Sequence, residues 1–230
     1  MVPLLFFFAA GWGLRPLASR IEPSSLQPHE FVRLGGTAVL GVLGGMRSVV
    51  AGGLWLRTYQ AWERQDPADT RALLELTVAA DDRPVYFWLN GARMMAYDFP
   101  AWINVADRPE AVRHRAAMNA VEEACAFLER GSRTHPHSAD FLIEMANIRL
   151  RGGGDRETAA ELFRGAAELP DAPYYAARIH GELLRELGRP RDALVWLRKV
   201  LPTLPAGDPA ACRTVVEQRI KALEAELGEK

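Results

Sequence analysis

The sequence predicts an all-α protein that forms an α-solenoid of about four helical hairpins. From Arg47 onward, apolar residues recur at intervals of three and four, the period of a helix with one buried face. Alternating strand-like runs are scarce. Clusters of Gly, Pro and Asp divide this part into segments of about 12–20 residues, which suit antiparallel helix pairs joined by short loops.

Composition excludes several classes of protein. Of the 230 residues, 49% are hydrophobic and 25% are charged, so a mainly disordered chain is excluded. The 28 basic and 29 acidic residues provide no strongly basic field for nucleic acid. Two cysteines cannot form a disulfide framework. The excess of arginine over lysine suggests a GC-rich bacterial genome.

Residues 1–20 form an apolar amino-terminal segment. Val2–Leu14 carries no charge and is followed by Arg15 and Arg20. A spanning helix needs about 17–25 apolar residues, so this run is short for a span. We favour a membrane anchor; a cleaved signal-like segment and an apolar terminus buried in the fold are the alternatives. For an anchor, the basic residues after the run predict an inner-membrane protein with its repeat domain in the cytoplasm.

Residues 21–46 comprise a linker and a Gly-rich apolar stretch that continues into the first helix. The apolar stretch covers residues 34–56, with Arg47 as its only charge, and Gly41 and Gly45 are spaced as in close helix pairs in lipid. A central Arg costs about 2.5–3.5 kcal/mol in a spanning helix. We therefore prefer a turn at Gly44–Gly45 followed by a soluble helix from about Met46 over a second span.

Residues 47–227 form the predicted helical repeat domain, and its last unit has the clearest pattern. Tyr174–Pro205 places small residues where two helices cross, large residues around that contact, Gly at the turn and Pro at the end: Ala177, Gly181, Leu184, Gly188, Ala193, Leu197 and Pro205. The unit before it keeps the same register through Leu142, Ala146, Ala159, Phe163 and Ala166. That unit has one extra residue, in the turn Gly152–Asp155.

The pattern is looser upstream. Tyr86–Ala92 is the predicted first helix of the next unit, and Ala124 and Leu128 belong to its second helix. Between them lies an insertion at about residues 96–115, where Pro100 is expected to prevent one continuous helix. Helices at Leu54–Trp62 and Thr70–Ala80 form an earlier unit, and Pro209–Leu227 is a predicted capping helix.

These positions and the period of about 34 residues resemble the tetratricopeptide-repeat (TPR) family. The resemblance is clear for about residues 137–207 and weaker for 47–136. It implies a right-handed TPR-like α-solenoid that acts as a scaffold and holds a partner peptide or helix on its concave face. The groove residues it implies are Tyr86, Arg93, Tyr97, Asp140, Asn147, Arg151, Tyr175, Arg178 and Glu182. Arg93 and Asn147 could bind a peptide carboxylate or backbone, but the cluster of lysines typical of such grooves is missing, so solvated polar surface is the preferred interpretation.

The insertion is rich in apolar residues. Phe99, Trp102 and Ile103 either fold back on the first repeats or form a contact patch for a partner, and packing is preferred because large apolar side chains are usually buried. His135 and His137 lack the further ligands of a structural metal site, and Cys125 and Cys212 are expected to pack. No catalytic motif is evident, so we expect no catalytic residue, metal, cofactor or small-molecule substrate.

The predicted function is therefore a protein–protein interaction adaptor, membrane-associated through the amino-terminal segment and bound to a protein or peptide partner. A soluble cytoplasmic TPR adaptor is the first alternative. A helical domain that binds a small ligand between hairpins, or has an unrecognised enzymatic activity, is the second.

Overall fold

A computed structural model of the chain describes residues 46–102 and 109–228, and all regular structure in them is helical. The all-α prediction is confirmed for these residues. Ten α-helices occur there: α1 Arg47–Glu63, α2 Pro67–Ala80, α3 Val85–Arg93, α4 Phe99–Trp102, α5 Glu110–Thr134, α6 Ala139–Ile148, α7 Arg156–Ala167, α8 Tyr174–Glu186, α9 Pro190–Val200 and α10 Arg213–Leu227. Two π-helical turns, Met94–Asp98 and Arg149–Gly153, follow α3 and α6. Short 3₁₀ turns are Leu201–Thr203 and Pro209–Ala211.

The predicted anchor at residues 2–14 lies outside the described residues, as do residues 34–45 of the second apolar stretch. Over residues 46–102 and 109–228, no helix combines the length and the apolar character that a membrane span requires.

Side chains and glycines set the helix ends, as the sequence clusters predict. The Asp66 carboxylate caps α2 by accepting hydrogen bonds from the backbone N–H groups of Ala68 and Asp69, each at 3.0 Å. The Asp155 carboxylate caps α7 through the N–H of Thr158 at 3.0 Å. Gly188 follows α8 with φ of 73°, a conformation that costs glycine little, and the chain turns there into α9.

Helices pack mainly against their neighbours along the chain. Contacts join α1 to α2, α3 to α5, and each helix from α5 to α10 to the next. The apolar core of the described residues consists of three clusters that follow one another along the sequence, centred on Phe127, Phe163 and Leu197. In the last of these, a Cβ added at Gly181 would lie 2.8 Å from Leu197 Cδ2, so α8 and α9 cross closely where the sequence has small residues.

The prediction that Pro100 prevents one continuous helix is wrong for the segment Val85–Trp102. The chain stays helical from Val85 to Trp102 because a π turn, Met94–Asp98, precedes the proline. The Phe99 N–H bonds to the Met94 carbonyl, five residues back, and this wider turn accommodates the ring. The last residues of the predicted insertion, 110–115, are helical and belong to α5, which begins at Glu110.

The carboxyl-terminal helix α10 begins at Arg213, because Cys212 adopts a left-handed conformation (φ 46°) between the 3₁₀ turn and the helix. Val216, Ile220 and Leu223 on α10 are buried in the core cluster shared with α8 and α9. Arg213 Nη1 donates to the carbonyl oxygens of Leu201 and Leu204, at 3.0 and 2.8 Å. α10 therefore covers apolar surface that the preceding helix pair leaves open.

Candidate partner-binding groove

The nine residues of the predicted groove occupy three helices and both π turns. Tyr86 and Arg93 lie on α3 and Tyr97 in the following π turn; Asp140 and Asn147 lie on α6 and Arg151 in the π turn after it; Tyr175, Arg178 and Glu182 lie on α8. π turns inside helices are often found at functional sites. Here each of them carries one of the predicted groove residues.

Arg93 is bound to a buried acid on the next predicted first helix. Its Nε and Nη2 donate to the two carboxylate oxygens of Glu144 at 2.9 and 2.5 Å, a bidentate pair. The Glu144 side chain is 7% exposed and the Arg93 side chain 47% exposed. The hydrogen bonds to Glu144 raise the pKa of Arg93. Arg93 thus uses two of its donors within the fold, and this pair joins α3 to α6.

Tyr97 lies beside this ion pair. Burial raises its pKa, and the Glu144 charge raises it further, whereas Arg151 and Arg93 act in the opposite direction. The Tyr97 hydroxyl is buried and has no hydrogen-bond partner among residues 46–102 and 109–228. Glu144 of α6 and Arg151 of the second π turn therefore both act on the Tyr97 hydroxyl of the first π turn, in opposite directions.

Tyr175 extends the cluster to α8. The side chain is 40% exposed, and its pKa is raised by burial and then by the charges of Asp140 and Glu144. Two acids of α6 therefore act on a side chain of α8. We refer to Arg93, Tyr97, Asp140, Glu144, Arg151 and Tyr175 as the charged strip.

Arg178 and Glu182 lie farther along α8, on a pocket of about 280 Å³ that residues of α10 line on the other side. We call it the α8–α10 pocket. Both Glu182 carboxylate oxygens are taken: Arg185 Nη2 lies 2.5 Å from Oε1, and Arg219 Nη2 lies 2.8 Å from Oε2. The Arg178 Nε is buried and has no hydrogen-bond partner within the described residues.

Two predicted groove residues are less closely connected to the strip. Tyr86 is 58% exposed and packs edge-on against Trp55 of α1, with ring centroids 5.3 Å apart. Asn147 is half-buried on α6. The strip is therefore built without a direct role for either residue.

The insertion packs on the fold. Phe99 is 3% exposed and belongs to the first core cluster, and Trp102 is partly buried against it. Their ring centroids are 5.2 Å apart, and Trp102 also meets Trp62 edge-on at 6.2 Å. Phe99 thus contributes to the core and is not exposed as a contact residue, because the π turn directs it inward with Met95. Ile103 lies outside the described residues.

The remaining titratable candidates have structural surroundings. His135 stacks on Phe141 at 5.2 Å, and its Nε2 is 2.8 Å from the Arg83 carbonyl oxygen. Burial raises the pKa of the Cys125 thiol to about 11, which disfavours the reactive thiolate. Within residues 46–102 and 109–228, no three His, Cys, Asp or Glu side chains converge as metal ligands would.

Sequence reasoning missed Glu144, the centre of the charged strip. It is the only charged residue between Phe141 and Ile148, in a segment whose residues are mostly apolar and buried, so its carboxylate needs a partner. That isolated position is the signal that identifies it.

Comparison of the chain with protein-family models and with curated proteins finds no match.

Proposed function

We propose that the chain is a protein–protein interaction scaffold whose helices form a right-handed TPR-like solenoid, with a partner peptide or helix bound along the charged strip. The carrying observation is the bidentate pair in which Nε and Nη2 of Arg93 on α3 donate to the Glu144 carboxylate on α6 at 2.9 and 2.5 Å. It joins two of the predicted first helices, and Tyr175 of α8 extends the surface that we propose.

The packing order supports a solenoid. Each helix from α5 onward packs on its neighbours along the chain, and the core consists of successive clusters, as stacked repeats require. α10 has the place of a capping helix, with one face buried on α9 and the other solvated.

The chemistry of the strip suits a peptide better than a rigid small ligand. Exposed Asp140 and Arg151 provide charges of both signs, and half-exposed Tyr175 provides an aromatic face with a hydroxyl group. Tyrosine and arginine are enriched in protein interfaces because they combine contact area with directed hydrogen bonds. Arg93 and Glu144 satisfy each other and stiffen the surface on which a partner lies.

The partner is tested by affinity purification of the tagged full-length chain from its native cells after mild cross-linking. The test variant combines Arg151→Glu with Tyr175→Ala, both exposed residues of the strip. Arg93 is left intact, because its removal leaves the buried Glu144 unpaired. We expect one or more proteins to be enriched with the unmodified chain and to fall about tenfold or more with the variant.

Arg191→Glu is the matched control, since Arg191 is an exposed arginine on α9, a predicted second helix that faces away from the groove. Circular dichroism establishes that each variant is folded. A partner retained equally by the double variant and the control contradicts the groove assignment. The absence of any enriched protein contradicts the scaffold function itself.

We further propose that the amino-terminal segment associates the scaffold with a membrane, on the basis of the uncharged run Val2–Leu14. Cell membranes washed with alkaline carbonate should retain the full-length chain in the pellet. Recovery of the chain in the supernatant contradicts membrane anchoring and favours a soluble adaptor.

A further inference from the structure

The α8–α10 pocket is an apolar cavity next to the charged strip. Its apolar lining comprises Tyr175, Ile179, Leu197, Val215 and Val216. Leu197 and Val216 form its buried floor, at 2% and 1% exposure, whereas Val215 is 48% exposed at its rim. A side chain that enters the pocket therefore meets apolar atoms below and on both sides.

The pocket has room for one aliphatic side chain. Its volume of about 280 Å³ lies just below the range of roughly 300–1,000 Å³ usual for drug-sized ligands. One aliphatic side chain fits such a space, and burial of aliphatic groups is the main favourable term in association.

The charged residues around the pocket indicate which group of a partner would lie next to that aliphatic side chain. Arg178 and Glu182 are one turn apart on α8, a spacing that normally allows an ion pair. Glu182 is instead held by Arg185 and by Arg219 of α10. Arg178 therefore remains without an acid among the described residues, and its Nε is buried without a hydrogen-bond partner.

A carboxylate is the group that matches this arrangement. It accepts two parallel hydrogen bonds from the Nε and Nη atoms of one guanidinium group and neutralises its charge. On the lining, Arg219 is paired with Glu182, so Arg178 is the cation left to attract a carboxylate.

We propose that the α8–α10 pocket binds an aliphatic side chain of a partner segment, and that Arg178 binds the carboxylate of an Asp or Glu within about one helical turn of it. This inference rests on the proposed function, because Tyr175 belongs both to the pocket and to the charged strip. It adds the chemistry of the recognised segment, which is acidic and aliphatic.

The probe is a phage-displayed random dodecapeptide library selected on the full-length chain. We expect the enriched peptides to combine Leu, Ile or Val with Asp or Glu at separations of up to four residues. The best peptide is then synthesised with a fluorescent label, and its binding is measured by fluorescence anisotropy.

Two variants test the pocket independently. Arg178→Gln removes the cation and should weaken binding about tenfold or more. Val215→Asp places a negative charge at the rim and should weaken binding to a similar extent, because it repels the incoming carboxylate. The matched controls are Arg57→Gln on α1 and Val195→Asp on α9, both exposed and away from the pocket. We expect neither control to change the affinity by more than about twofold.

The outcomes separate the pocket from the groove. If a selected peptide binds folded Arg178→Gln and Val215→Asp as tightly as the controls but is lost with Arg151→Glu and Tyr175→Ala, the pocket inference is overturned and the scaffold function stands. Enriched peptides without acidic residues also overturn it. If no peptide is enriched and no partner is recovered by affinity purification, the pocket inference and the proposed function both fall.

Discussion

Gly131 tests how closely α3, α5 and α6 meet. A Cβ atom at this position would lie 2.6 Å from Trp88 Cδ2 of α3 and 2.6 Å from Phe141 Cε1 of α6. Neither ring can move freely. The Trp88 Nε1–H donates to the Asp82 carbonyl oxygen at 2.8 Å, and Phe141 is fully buried. The Gly131→Ala variant therefore forces two fixed aromatic rings apart.

Two opposing contributions determine how much Gly131→Ala changes the free energy of unfolding. Alanine is favoured over glycine in a helix by up to about 1 kcal/mol. Overpacking a well-filled core costs about 1–3 kcal/mol. The net expectation for Gly131→Ala is a loss of about 1–2 kcal/mol in the free energy of unfolding. Gly53 on α1 is the matched control, because a Cβ there meets no atom within 4 Å. The Gly53→Ala variant should be more stable than the unmodified chain by up to about 1 kcal/mol.

Urea denaturation of the full-length chain, followed by far-ultraviolet circular dichroism, measures both changes. With equal slopes of unfolding free energy against urea, the midpoints give the difference directly. Thermal midpoints should differ by about 2–4 °C per kcal/mol for a chain of this size. If Gly131→Ala is as stable as Gly53→Ala, the close approach of the three helices is refuted.

Two further predictions concern buried titratable groups. Arg93→Met should lower the free energy of unfolding by about 3 kcal/mol. Glu144→Gln should cost less, because the carboxylate left by the first change is 7% exposed, whereas the guanidinium left by the second is 47% exposed and stays hydrated; urea denaturation at neutral pH measures both. Burial lowers the pKa of His180, whose Nδ1 bonds to the Ala160 carbonyl oxygen at 2.7 Å. The unfolded chain then binds a proton more readily than the native protein, so stability is complete above about pH 6.5 and falls as the pH drops toward the native pKa, by at most about 1.4 kcal/mol per pH unit. His180→Asn should remove this dependence in parallel urea titrations.

Each of these predictions has a contradicting result. Equal losses for Arg93→Met and Glu144→Gln would mean that the two charges are equally hydrated, contrary to their exposures. An unchanged pH dependence in folded His180→Asn would assign the effect to another group.

The helix boundaries were predictable because their signals are chemical and local. Asp66 before Pro67 begins α2, and Gly188 before Pro190 separates α8 from α9. The repeat register predicts one extra residue in the penultimate unit, in the turn Gly152–Asp155. The structure has a π turn, Arg149–Gly153, that overlaps this predicted turn. Counting residues along a repeat predicts how many extra residues a unit contains. It does not predict which backbone turn contains them.

For the candidate groove, sequence predicts the helix face of a residue but not the partner of its side chain. Register predicts the face of a helix on which a residue lies, and on that basis Asp140 and Tyr175 are assigned to one surface; the charge of Asp140 contributes to the raised pKa of Tyr175. The partner of Arg93 could not be found in this way. Whether its guanidinium group reaches solvent or the buried Glu144 depends on the distance between two helices, and local sequence does not determine that distance.

The π turns also define where the gene can change in length. A π turn closes its hydrogen bond over five residues and an α turn over four, so each wide turn contains one residue more than a regular helix needs. Loss of a single codon within Met94–Asp98 or Arg149–Gly153 would convert the turn to an α turn and keep the following residues in phase. The same loss elsewhere in a helix rotates every later side chain by about 100°. Single-codon insertions and deletions among relatives of this chain should therefore concentrate at these two turns. Because Tyr97 and Arg151 lie in the turns, the residue types at these two positions should change together with the length.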